Sequence, residues 1–226
     1  MDMSEEHPAS KPVLVTGANG YIASWLVKKL LESGSLVHAT VRNPEDKAKV
    51  GHLLKLGFEF PGKLELFKAD LLRDASFDEA MKGCEVVFHT ASPFIARNVS
   101  DPEKQLIRPA LEGTRNVLSS ANRIESVTRV VLASSIAAVH GDAQDIKNTG
   151  GSAFDESDWN ETSSLKHQPY QYSKTIAEKL AWEMCAAQDR WKLVTINPGK
   201  DLGMVFMPAR QTVIDHFRQM LDQGVV

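Results

Sequence analysis

At 226 residues, 42% hydrophobic and 24% charged, the chain has material for a sizeable core and the length of one large or two small domains. A net charge of −3 provides no basic excess for neutralising phosphate backbones, which argues against a nucleic-acid partner. The two cysteines, Cys84 and Cys185, can build neither a disulfide framework nor a metal site.

In chain order, the opening MDMSEEHPAS is acidic and polar, unlike a signal or transit peptide. No apolar run reaches the length needed to span a bilayer, so the expectation is a cytoplasmic protein without a membrane partner. Next, PVLVTG (12–17) is a short apolar run ending in a glycine turn, and YIASWLVKKLLESG carries apolar residues at helical spacing. LVHATV (36–41) predicts a second strand, DKAKVGHLLKL a second helix, KLELFKA (63–69) a third strand and SFDEAMKG a short helix. EVVFHTA (85–91) predicts a fourth strand, followed by one long helix over PEKQLIRPALEGTRNVLSSANR that tolerates its proline. TRVVLASS (128–135) is a fifth strand and WKLVTINPG (191–199) a sixth. Between them, Gly141 to Gln168 is rich in Asp, Asn, Ser and Gly and reads as a long surface loop, ahead of a helix that begins near HQPYQYSKTIAEK. Short strands alternating with helices predict α/β architecture: a doubly wound, Rossmann-type parallel sheet.

The first strand–helix junction, VTGANGYIAS, places Gly17, Gly20 and Ala23 where a dinucleotide fold needs them. Gly17 permits the tight turn, Gly20 lets backbone approach a pyrophosphate, and Ala23 lets helix and strand pack closely. Asn19, Tyr21 and Ile22 fall in the same turn, whose helix-terminal N–H groups face the phosphates. An NAD site usually offers a carboxylate near the end of the second strand, but here Arg42 stands there with no acid before Glu45. A guanidinium suits a 2′-phosphate, and Lys49 could add a second charge, so the expected cofactor is NADP(H). Asp70 and Leu71 follow the third strand, where an adenine edge would lie. Thr90, Ala91 and Ser92 follow the fourth, beside the ribose and nicotinamide. His89 reads as a packed strand residue.

Tyr170 and Lys174 are four apart and share a helix face; Tyr172 and Lys174 are two apart and do not. A lysine ammonium one turn away would stabilise a phenolate, which makes Tyr170 the proton-donor candidate. At the end of the fifth strand, Ser134 and Ser135 are adjacent, so only one can point towards the site and bind a carbonyl oxygen.

Together, the glycine turn, ASS, the Tyr–Lys pair and NPG resemble the extended type of the short-chain dehydrogenase/reductase superfamily. TGANGYIASWLVKKLL, VHATVRNP, VFHTASPF and YQYSKTIAEKLAWE are more narrowly similar to its dihydroflavonol, cinnamoyl-CoA and methylglyoxal reductases, over about residues 12–199. That resemblance implies Ser135, Tyr170 and Lys174 as the catalytic set. It also implies Arg42 and Lys49 at the 2′-phosphate, and Pro198 and Gly199 beside the nicotinamide. The implied reaction reduces the carbonyl of a small-molecule aldehyde or ketone. Tyr170 gives the proton, Ser135 orients the oxygen, and Lys174 lowers the tyrosine pKa and holds the ribose. A nucleotide-sugar epimerase or dehydratase would share the triad, but Arg42 argues against its NAD. A non-catalytic dinucleotide-binding protein is the third alternative.

The division expected is a dinucleotide-binding domain over 1–199 and a C-terminal segment over 200–226. ARQTVIDHFRQMLDQGVV, with Val213, Ile214, Phe217 and Leu221 at helical spacing, resembles the final helix of such reductases. A substrate domain on the order of a hundred residues is therefore expected to be missing near Lys200–Asp201. The alternative is a short protein whose sixth strand leads straight into a terminal helix.

Overall fold

The computed structural model describes residues 11–92, 99–142, 145–146, 154–155 and 157–198. The step at Lys200–Asp201, Gly199 and the C-terminal helix expected around Val213–Leu221 lie outside these. Six strands form one parallel sheet: β1 (Val13–Val15), β2 (Val37–Val41), β3 (Leu64–Lys68), β4 (Val86–His89), β5 (Arg129–Ala133) and β6 (Lys192–Ile196). Among the described residues, five α-helices run between them: α1 (Tyr21–Glu32), α2 (Lys47–Glu59), α3 (Asp78–Met81), α4 (Arg108–Arg123) and α5 (Pro169–Ala186). The strand order is β3-β2-β1-β4-β5-β6, the expected Rossmann-type arrangement.

After β3 the chain crosses over β1 to lay down β4, so the winding direction reverses between β1 and β4. In open parallel sheets that reversal opens a crevice at the carboxyl ends of the strands. Register fixes its rims: Val15 pairs with Phe88, so the residues after each meet at the crevice.

Strand alternation sorts the apolar residues into two cores. Val13, Val15, Val37, Ala39, Val86 and Phe88 face α1 and α2; Leu14, Val87, Val130 and Leu132 face the other way with α3, α4 and α5. Trp191, fully buried in the second core, donates its indole N–H to Asn122 at 2.7 Å. Cys84 and Cys185 are unpaired thiols, and burial pushes Cys84 up to about 12, which leaves it unreactive.

The expected long helix over 102–123 is continuous but not uniform: Glu103–Ile107 is π-helical and α4 follows without a break. Pro109 follows directly, as the second residue of α4, and the wider turn before it makes room for its ring. The 141–168 stretch is not simply a surface loop, since Asp145, Asn160 and Ser163 are buried. Asp145 accepts from the N–H groups of Gly141 and Asp142 and from the Thr162 hydroxyl; Asn160 donates to the Ala137 carbonyl at 2.7 Å. Side chains here supply the hydrogen bonds that a strand ladder would otherwise give.

Candidate active site

The crevice is built first by backbone. Gly17 has φ +65°, and a Cβ there would lie 2.9 Å from the Cβ of Ala91. No other residue type fits that turn without strain. Gly20 caps α1 with no side chain, so the first N–H groups of the helix are left for another acceptor. Beside them Tyr21 and Ile22 stand exposed, an unusual pair of large apolar groups at a helix start.

Thr16 ties the two rims together. Its hydroxyl oxygen accepts from the N–H groups of Thr90 (3.1 Å) and Ala91 (3.0 Å), and its own proton goes to His89 Nδ1 at 3.1 Å. That bond makes Nδ1 an acceptor and puts the ring proton on Nε2. Burial, then the ammonium of Lys174, brings the His89 pKa down to about 3. His89 is a packed, neutral strand residue, as read from the sequence.

Arg42 is exposed just beyond β2. Lys49 is on the first turn of α2 with its ammonium 3.1 Å from Asp46, so it serves an anion only by exchanging that partner. The Asp70 carboxylate accepts from Leu72 N–H at 2.9 Å and holds the turn after β3. Leu71 is pinned to α4: its carbonyl accepts from Asn116 at 2.7 Å, and a Cβ at Gly113 would come within 3.1 Å of its side chain.

On the far rim, α5 carries Tyr170 and Lys174 one turn apart. The Lys174 ammonium is 5.9 Å from the Tyr170 ring centroid and donates to the Ser92 hydroxyl at 2.9 Å. Burial brings Lys174 down to about 8, against a smaller upward effect of the Glu178 carboxylate. Burial also pushes the Tyr170 phenol up. Against the expected lowering by Lys174, desolvation is the dominant influence on this phenol in the free chain. Tyr172 is half-exposed on another face.

The serines divide as alternation requires. Ser134 donates its hydroxyl to Glu178 on α5. Ser135 has its oxygen accepting from Ala137 N–H at 3.2 Å, capping the 3-10 turn Ile136–Ala138 and keeping its own proton to donate. The Thr175 hydroxyl on α5 shares its proton between the Gln171 carbonyl (3.0 Å) and the Ala137 carbonyl (3.3 Å), which sets that turn against the helix bearing Tyr170 and Lys174. Pro198 is exposed after β6, and its carbonyl accepts from Ile136 N–H at 3.2 Å. Sequence reasoning missed Glu178 and Asn197, although Glu178 follows Lys174 by four in SKTIAEK and so shares its face.

Comparison with known proteins places this geometry. Residues 13–224 match the model of the NAD dependent epimerase/dehydratase family. The chain belongs to that family. It is 46% identical over 202 residues to a cinnamoyl-CoA reductase of Medicago truncatula, covering 88% of this chain and 60% of the relative. It is 43% identical over 186 residues to dihydroflavonol 4-reductase of Gerbera hybrida, covering 80% and 48%. Among solved structures, Gre2 of Candida albicans in complex with NADPH superposes with a TM-score of 0.73 at 37% identity, over 84% of this chain and 57% of that one. The resemblance read from the motifs is thereby borne out. This family member spans roughly half to three-fifths of the length of these reductases.

Proposed function

We propose that this chain is the NADPH-binding and catalytic part of a reductase acting on an aldehyde or ketone carbonyl. The observation that carries it is the Lys174 ammonium, largely desolvated, lying between Ser92 on one rim of the crevice and the ring of Tyr170 on the other. Its relatives support the reading, being reductases by name, and one neighbour was solved with NADPH.

The residues present fit the cofactor. The turn from Gly17 to Gly20, with no side chain at either end, and the uncapped start of α1 form a cradle for a pyrophosphate. Exposed Tyr21 and Ile22 are apolar surface that a bound dinucleotide would cover. Arg42 is free of acidic neighbours in sequence until Glu45 and suits a 2′-phosphate. When bound, NADPH supplies the hydride that adds to the carbonyl carbon. Ser135 donates a hydrogen bond to the carbonyl oxygen and fixes its direction. Tyr170 transfers its phenolic proton to that oxygen as it gains the electron pair of the former π bond, leaving a phenolate. Lys174 stabilises the phenolate and can exchange its bond to Ser92 for one to a ribose hydroxyl.

The test is NADPH oxidation over a panel of aldehydes and ketones with Tyr170→Phe and Tyr172→Phe. Loss of a positioned proton donor lowers the rate by about a hundredfold or more. Tyr170→Phe should show that loss with NADPH affinity unchanged, and Tyr172→Phe should be mild. Equal behaviour of the two variants contradicts the assignment.

A further inference from the structure

The crevice floor contains a carboxylate that the proposed reaction does not use. Glu178 is 6% exposed, one turn beyond Lys174 on α5. It accepts hydrogen bonds from the Ser134 hydroxyl at the end of β5, from Asn197 Nδ2 (2.9 Å) just after β6, and from the Trp182 indole at 3.4 Å. The other hydrogen of Asn197 Nδ2 goes to the carbonyl of Ser135 at 3.1 Å. Holding a carboxylate out of water is costly, so three donors and a nearby positive charge require a reason. Glu178, Lys174, Ser134 and His89 line one small cavity of about 20 Å³, room for about a single water.

We infer that Glu178 is a positioning residue of the reducing site: it clamps Asn197 so that Ser135 is held in register, and it supplies the negative charge opposite the Lys174 ammonium. The reductase reading underlies the first half; the second stands without it, on the shared cavity and the helical spacing of Lys174 and Glu178. The other groups facing Lys174 do not supply that charge. β4 contributes His89, held neutral, and Ser92 beyond it is uncharged. β5 contributes Ser134, and the facing part of α4 offers Pro109, Ala110, Gly113 and Thr114. Tyr170, on the same helix, has its phenol pushed up by burial and stays protonated at neutral pH. Among the described residues, only Glu178 opposes the desolvation that brings Lys174 down to about 8.

The experiment titrates Lys174 directly in the cofactor-free full chain through its 13Cε chemical shift, assigned by its loss in Lys174→Arg. Glu178→Gln keeps an acceptor for Asn197 and removes the charge. Residues four apart on a helix are neighbours, and losing an opposite charge disfavours the ammonium, so the Lys174 midpoint should fall clearly in Glu178→Gln. Ser134→Ala removes a donor and keeps the charge; its midpoint should stay within about half a unit while kcat falls, with NADPH affinity unchanged. In Glu178→Gln the alkaline limb of the kcat profile should move down with the midpoint. An unmoved midpoint in Glu178→Gln, or full kcat in Ser134→Ala, overturns the assignment. Should no carbonyl be reduced by the wild-type chain, the reductase reading fails and the clamp on Ser135 falls with it. The midpoint still decides the role of the charge.

Discussion

The two halves of the sheet hold themselves together differently. The half built from β1, β2 and β3 with α1 and α2 is closed by aliphatic packing, with Val13, Val27, Leu30, Val37 and Leu53 almost wholly buried; Thr16 and Thr40 are buried there as uncharged hydroxyls, and the glycine turn presents backbone. The half built from β4, β5 and β6 with α4 and α5 also has an apolar core, but buried polar groups cross it. His89, Ser173, Thr175 and Glu178 are all under 9% exposed, and Arg190 spans four carbonyls at the end of α4. The lesson concerns division of labour. A phosphate can be held by N–H groups that any sequence provides, so that half needs only glycines at the right places. Proton transfer needs side chains of specified charge, and burying them requires a network of partners.

That contrast can be broken or sharpened by single changes. The largest stability loss is expected for Arg190→Ala. Its guanidinium donates to the carbonyls of Ala121, Asn122, Ile124 and Val127 at 2.7–2.9 Å, where a cation also suits the helix end. Orphaning several such acceptors should cost about 3 kcal/mol in a urea titration. Gly17→Ala should cost about 2 kcal/mol, from the left-handed backbone and the 2.9 Å approach to Ala91. It should weaken NADPH as well, because the turn must shift.

His89 gives a pH signature. Its folded pKa of about 3 lies below the ordinary 6.5, so only the unfolded chain takes up a proton between those values. Stability attributable to His89 is unaffected above pH 6.5 and is lost progressively as pH falls towards 3. At pH 5 the loss should be about 2 kcal/mol, from about 1.4 kcal/mol per unit. His89→Gln should flatten the acid side of the stability profile by that amount. The smallest effect is expected for Arg123→Ala. Its guanidinium bridges Asp78 (2.9 Å) and Asp74 (3.3 Å) in solvent, and exposed pairs contribute under about 1 kcal/mol. If Arg123→Ala proves as costly as Arg190→Ala, burial is not what separates the two.

Much of this was legible in the sequence because it follows local rules. The strands reveal themselves as short apolar runs between turns, and Gly17 and Gly20 mark the junction that the fold requires. Spacing by four placed Tyr170, rather than Tyr172, on the helix face of Lys174, where the structure has it. The remainder depends on contacts between distant segments. Glu178 meets Ser134 across 44 residues and Asn197 across 19, and no local pattern announces either. The burial of Asp145 and Asn160 was hidden because polar composition normally signals surface. The raised phenol of Tyr170 reflects desolvation, a property of the packed state alone. The Lys49–Asp46 pair, by contrast, was visible as an i, i+3 spacing and changes what Lys49 can offer an anion.

The central claim is that both halves converge on an NADPH site at the carboxyl edge of the sheet. Equilibrium titration of the chain with NADPH and with NADH, for the wild type and Arg42→Ala, tests it most directly and needs no substrate. A charge-assisted phosphate contact contributes about 1.5–3 kcal/mol, so NADPH should bind at least about tenfold tighter than NADH. Arg42→Ala should erase most of that preference while leaving NADH nearly unchanged. Tighter binding of NADH by the wild type, or equal loss of both cofactors in the variant, would contradict the account.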